Sequence, residues 1–318
     1  MDMADIAVYG AYGHTGQFVV TELRERGHVP IPLGRDERKL RALGPEARAA
    51  TLDDLDRALD GADAVINTAG PFAVTAGPVI EAALRARIPY VDVAAEIEAC
   101  TDTFTRYAGA STVVVPAMAF FGGLGDLLVT AVMDEWTAAD EVHIAYGLSS
   151  WHPTAGTLAA GAVSAQRRAG RRVRFTGGRL RYHDDVQPTL QWPFPAPLGP
   201  RTVLAEFTMA DVVTVPSHLA VPEVRTYMTS RAASDLAAGG ERGGAPETFV
   251  VDVIVRRDGS ERRITATGQD IYAVSAPLAV EAVDRVLTGR VRGTGVLSAG
   301  AAFDAPGFLE ALSGHLTL

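Results

Sequence analysis

Val8-Tyr9-Gly10-Ala11-Tyr12-Gly13-His14-Thr15-Gly16 is the stretch on which the reading of this chain turns. It follows an apolar run, Ile6-Ala7-Val8-Tyr9, and opens the segment Gln17 to Arg26. That segment carries Val19, Val20 and Leu23 on one face and Gly27 as its stop, the pattern of an amphipathic helix. A glycine-rich turn between a strand and a helix is built for phosphate. Gly10 suits a tight turn, Gly13 a close approach of pyrophosphate to backbone, and Gly16 close packing of helix on strand. The free N–H groups at the helix start then face the anion. The spacing is G-x-x-G-x-x-G rather than G-x-G-x-x-G. It occurs in several dinucleotide-binding families and does not fix the chemistry alone. A glycine turn without ligand is the alternative.

Outward from this turn, short apolar runs alternate with helical ones. His28 to Leu33, Ala47 to Leu52, Ala64 to Asn67, Tyr90 to Val93 and Thr112 to Val115 read as strands. Asp53 to Asp60 and Thr75 to Arg87 read as helices between them. Strands separated by helices pair in parallel through right-handed crossovers. Past Asp126 the pattern changes to longer alternating runs: Val142 to Leu148, Val173 to Tyr182, Val203 to Val215, Val224 to Thr229 and Thr248 to Thr267. Asp258-Gly259 is a hairpin turn within the last of these. Gly156 to Arg168 and Pro277 to Leu287 read as helices, and Ala237 to Pro246 as a mobile loop. The expected fold class is α/β. An N-terminal Rossmann doubly wound parallel sheet spans residues 1–126, with 270–318 packing back on it. Residues 127–269 form a second α+β domain of mixed or antiparallel sheet, for substrate binding or oligomerisation.

The end of the second strand selects among dinucleotides. An NAD site places Asp or Glu there for the ribose hydroxyls. This chain reads Pro32-Leu33-Gly34-Arg35, with Arg38 and Lys39 one turn on. Arg35 can grip a 2′-phosphate with two hydrogen bonds, and Lys39 adds charge. NADP(H) is therefore the expected cofactor. Asn67-Thr68-Ala69-Gly70-Pro71 ends the fourth strand in residues small enough for a dinucleotide to lie on the backbone, with Phe72 toward the nicotinamide end.

The 318 residues carry 29 basic and 38 acidic side chains, a net charge of −9, which argues against a nucleic-acid partner. Cys100 is the only cysteine, so no internal disulfide forms and an oxidising compartment has no support. The N-terminus lacks the basic start of a signal peptide. From Tyr107 to Met133 the only charged residue is Asp126; Pro116, Gly122, Gly123, Gly125 and Asp126 itself argue against a membrane span. The expectation is a cytoplasmic chain with no membrane partner, a small-molecule substrate that could be carrier-linked, and edge strands that could pair in a homodimer.

On Gly10 through Gly16, Gly34-Arg35, Asn67 through Phe72, and Tyr90-Val91-Asp92 with Glu96, the sequence resembles the saccharopine dehydrogenase-like NADP-binding proteins, including trans-acting enoyl reductases. Weaker similarity runs through Pro116 to Asp126, Ala155-Gly156-Thr157 and Gly295 to Ala301. The resemblance implies a Rossmann domain followed by an inserted α/β domain, and a C-terminal helix, here Ser275 to Thr288, packed back on the first. One departure is Phe121-Gly122-Gly123-Leu124, where the family often has a polar Asp-Ser-Ile-Pro-type stretch. Another is that Lys39 is the only lysine, which argues against saccharopine chemistry itself.

No tyrosine has a lysine four residues later, no G-x-S-x-G is present, and the histidines lack metal-ligand spacing, so no metal is expected. His152 and Tyr146 are the candidate proton donors. Phe72, Glu96, Phe120, Phe121, Trp151 and Thr157 are the candidate substrate contacts. The basic run Arg167 to Arg172 reads as a solvated helix end, with an anionic carrier tail as the other reading. Taken together, the expectation is an NADPH-dependent oxidoreductase delivering hydride to an activated C=C, C=N or C=O of a mostly apolar small molecule, as in a biosynthetic pathway. Enoyl or imine reduction is favoured only by the resemblance. The alternative is a non-catalytic NADP(H)-binding sensor or scaffold.

Overall fold

The computed structural model describes residues 3–239 and 247–318. Six strands open the chain: β1 (Asp5–Tyr9), β2 (Val29–Gly34), β3 (Arg48–Ala49), β4 (Ala64–Asn67), β5 (Tyr90–Asp92) and β6 (Val113–Val115). They pair in parallel in the order 3-2-1-4-5-6. This is the doubly wound order whose reversal between β1 and β4 leaves a crevice beyond the strands' carboxyl ends. Ile6 to Val8 and Ala64 to Ile66 are fully buried, as expected of parallel strands covered on both faces.

The second sheet contains β7 (Glu141–Leu148), β8 (Arg172–Thr176), β9 (Arg179–His183), β10 (Thr189–Trp192), β11 (Arg201–Ala205), β12 (Val224–Thr229), β13 (Thr248–Arg257) and β14 (Ser260–Gln269). The chain then gives one short strand to each sheet. β15 (Gly295–Val296) pairs with β6, and β16 (Leu316–Thr317) with β14. The order is 10-11-12-7-13-14-16, with the β8–β9 hairpin attached at β12. Among the described residues only β12 and β7 are parallel within this sheet. Asp258 and Gly259 have φ of 51° and 77°, so the Asp-Gly turn closes the β13–β14 hairpin as the sequence predicts.

Several boundaries differ from expectation. Val173 to Tyr182 is a hairpin rather than one strand, because Gly177 and Gly178 both take positive φ. Val203 to Val215 ends as a strand at Ala205, since Glu206 turns left-handed at φ 56°. The rest of that run includes a helical turn, Asp211–Thr214, that buries Val212. The third strand and the acidic helix after it shrink to Arg48–Ala49 and Leu55–Ala58. Helices Ile97–Arg106 and Ser230–Ala238 were not expected. Of the expected loop, residues 240–246 lie outside the described residues, and Ala237 and Ala238 close the helix before it.

The apolar run from Tyr107 to Met133 resolves into β6, a distorted turn at Phe120–Leu124 and a helix, Gly125–Met133. Asp126 is fully buried and accepts from the Gly300 N–H at 2.7 Å, with His218 Nε2 also 2.7 Å away. Among the described residues no helix is long and apolar enough to cross a membrane. Helix Ser275–Leu287 lies against helix His14–Glu25. Arg26 reaches across to Glu281 at 2.7 Å and Asp284 at 3.0 Å, and His28 Nε2 lies 2.7 Å from Asp284. Removing one partner from a buried ion network of this kind costs about 3–5 kcal/mol, so the helix is firmly seated.

Candidate functional site

A cleft of about 1180 Å³ runs along the carboxyl ends of the parallel strands and under the second sheet. Ligand pockets are commonly about 300–1,000 Å³, so this one has room for a dinucleotide beside a second molecule.

Its first end is local in sequence. Gly10 takes φ 89°, a conformation glycine adopts without cost. The Gly10 and Ala11 N–H groups donate to the Leu33 carbonyl at 2.9 and 3.2 Å, and Gly13 donates to Gly10 at 2.8 Å. A Cβ on Gly10 would meet the Ala69 nitrogen at 2.8 Å, and one on Gly16 would collide with the Gly10 carbonyl. Helix His14–Glu25 begins at Gly13 with no capping side chain. Its first N–H groups therefore face the cleft without the partner that helix starts usually recruit, and this fits a bound pyrophosphate. Tyr12 packs on Gly34, with its ring Cε1 2.5 Å from where a Cβ would stand there. Lys39 Nζ lies 5.4 Å from the centre of that ring. Arg35 is exposed at the cleft rim, and its guanidinium has no hydrogen-bond or ion-pair partner among the described residues. The rim thus offers positive charge where a 2′-phosphate would lie.

The middle is held by buried carboxylates and amides. Asn67 does not face the cleft. Its Oδ1 accepts from the Ala69 N–H at 3.0 Å, while Nδ2 donates to the Tyr90 hydroxyl and Thr75 Oγ1. Gly16 is likewise beneath the cleft, and Thr68 through Phe72 line it. Asp92 accepts from the Tyr90 hydroxyl and the Ala94 and Ala117 N–H groups, so it braces two loops. Glu96 lines the cleft and accepts from the Phe72 N–H at 3.0 Å and the Ala95 N–H at 3.1 Å. Burial pushes its carboxyl above the usual range, against those hydrogen bonds.

The far end is apolar and assembled from distant segments. Phe120, Phe121, Trp151, Phe207 and Met209 line it, with the Phe121 and Trp151 ring centres 5.5 Å apart. The two expected proton donors are not in the cleft. Tyr146 is fully buried behind Phe120 and Phe121 and donates to Asp211 at 2.6 Å. The alternation that made β7 a strand turns this side chain into the core. His152 lies outside the lining, 3.3 Å from Ser150 Oγ, while its neighbour Trp151 points in.

Sequence reasoning missed Tyr272. Its hydroxyl oxygen accepts from Trp151 Nε1–H at 3.1 Å and the Thr154 N–H at 3.4 Å, and lies 2.9 Å from Thr157 Oγ1. Its ring meets the His14 ring edge-on at 5.1 Å. Burial raises its pKa, which the bonds from Thr157, Trp151 and Thr154 partly offset. No local motif marks Tyr272; it is placed by the turn before helix Ser275–Leu287. Arg168 and Arg172, read as a solvated end, also face the cleft.

Residues 6–114 match the family model of the saccharopine dehydrogenase NADP binding domain. The amino-terminal domain of this chain is similar to that family. Its cofactor is NADP(H). A 4-hydroxy-tetrahydrodipicolinate reductase from Natronomonas pharaonis is 32% identical over 124 residues, 39% of this chain and 48% of the relative. The chain thus spans about half the length of that curated relative. Among solved structures, saccharopine dehydrogenase (L-Glu forming) from Saccharomyces cerevisiae aligns over 99% of both chains with a TM-score of 0.68 at 12% identity. The DAP dehydrogenase of C. glutamicum aligns over 99% of both chains with a TM-score of 0.52 at 14% identity. At these identities the likeness is one of fold, and it extends across both sheets.

Proposed function

We propose that this chain is an NADPH-dependent oxidoreductase that reduces an activated C=C, C=N or C=O bond of a mostly apolar small molecule. One observation carries the reading. A single cleft joins the cations at Arg35 and Lys39, through the uncapped helix start, to a chamber walled by Phe120, Phe121, Trp151 and Phe207. When bound, NADPH supplies the hydride.

The chain's own groups orient the reactants and move the proton. The aromatic wall excludes water and favours a flat apolar body. Tyr272 accepts two N–H bonds, so its own O–H is left to point at Thr157 or at a molecule in the chamber. Burial keeps that proton on the oxygen at neutral pH, as a general acid requires. Thr157 and Thr154 hydroxyls, 3.0 Å apart, extend the path along which Tyr272 is resupplied.

The test is NADPH consumption against a panel of enoyl, imine and keto compounds, run beside NADPH titration. Tight NADPH binding with turnover of one class supports the reading. Tight binding with turnover of none favours a sensor and sinks it.

A further inference from the structure

Arg172 lines the same cleft as Arg35, at the start of β8. Its Nε and Nη2 are shielded from solvent and have no hydrogen-bond partner among the described residues. These two N–H groups leave a guanidinium side by side, the pair that matches both oxygens of a planar acid. A desolvated cation with two unmet donors is costly unless a partner arrives. Glu206 is the nearest carboxylate, and it does not close the pair. Its Oε2 is 3.9 Å from Nε and is itself without a hydrogen bond, although His183 Nε2 lies 3.2 Å away out of alignment. Glu206 Oε1 is held at 3.2 Å by Arg174. Glu206 also carries the left-handed φ of 56°, strain of a kind that concentrates at binding sites. Arg168 lines the same cleft, and its Nη1 donates to Ser164 Oγ at 2.9 Å and only loosely, at 3.5 Å, to Glu98.

We propose that Arg172, supported by Arg168, forms a subsite for a carboxylate on the substrate, in the same cleft as the aromatic wall. The proposal rests on the reading that this cleft holds NADPH and a substrate. It makes the substrate an apolar body with an acidic end. The charge around the subsite selects the acid. Arg168, Arg172 and Arg174 face Glu98, Glu206 and Asp185, so the patch is nearly balanced. A single negative charge gains a two-point bond there, whereas a phosphoryl dianion meets Glu206 and Glu98 as repulsion.

The experiment is calorimetric titration of the NADPH-loaded protein with cinnamate, cinnamamide and cinnamyl phosphate. Cinnamate should bind about tenfold or more tighter than the neutral amide, a difference typical of charge-assisted pairs, and tighter than the phosphate. Arg172→Gln should erase that preference, and Arg172→Lys should lose most of it, since an ammonium lacks the paired donors. NADPH affinity of each variant checks that it is folded. Equal binding of acid and amide, binding of none of the three, a preference that survives Arg172→Gln, or tighter binding of the phosphate overturns the carboxylate subsite. If NADPH itself does not bind, the cofactor reading falls, and the same titration on the unloaded protein still decides the carboxylate preference.

Discussion

The two ends of the cleft are built in different ways. At the nucleotide end, Gly10 through Gly16 and Gly34-Arg35 lie within 26 residues and touch through backbone bonds such as Gly10 and Ala11 to Leu33. At the aromatic end, Phe121, Trp151, Phe207 and Tyr272 come from four segments spread over nearly half the chain. The first end presents backbone groups to the cleft, so its residues are small. The second presents side chains, so each position depends on what stands behind it. Asp211 shows this: it holds the Tyr146 hydroxyl and the Gly122 N–H and so supports the wall without touching the cleft.

The sharpest break of this comparison is Gly10→Val. The substitution forces a branched side chain into φ 89° and against Ala69. Loss of measurable NADPH binding is expected in fluorescence titration, with strain of about 1–3 kcal/mol in urea unfolding. A variant that binds normally would mean the turn is not the phosphate seat.

Asp211→Asn tests the support behind the other end. Burial pushes the Asp211 carboxyl up from 3.8 to about 6. The folded chain then holds a proton that the unfolded chain has released. The stability from this group is present below pH 4 and is lost as pH rises through about 6. At about 1.4 kcal/mol per unit the loss approaches about 3 kcal/mol. The difference in urea-unfolding stability between wild type and variant should change by that order between pH 4 and 7, in favour of the variant as pH rises. A flat difference would refute the buried titration.

Tyr272→Phe keeps the ring and removes the proton. Once a reducible compound is found, kcat should fall about 100-fold, while NADPH affinity stays within about twofold. An unchanged kcat removes Tyr272 from proton delivery. Arg35→Ala gives the smallest effect, because the side chain is exposed and screened. NADPH should bind about tenfold weaker and NADH nearly unchanged, which equilibrium titration with both nucleotides resolves.

Much of this division was legible beforehand. The glycine turn, the basic end of the second strand, the parallel strands of the first sheet and the Asp-Gly hairpin are each specified within a few residues, where glycine conformation, hydrophobic period and charge act locally. His152 and Tyr146 misled because a polar residue on a strand or beside a helix carries no sign of the side it faces. Arg172 misled likewise: a basic run at a helix end reads as solvated until the chain beyond it folds back. The sequence by itself determined that a dinucleotide fold with a phosphorylated cofactor begins this chain. Only the tertiary structure decided which aromatic rings, which tyrosine and which arginine line the far part of the cleft, because those neighbours meet through the packing of one sheet over the other.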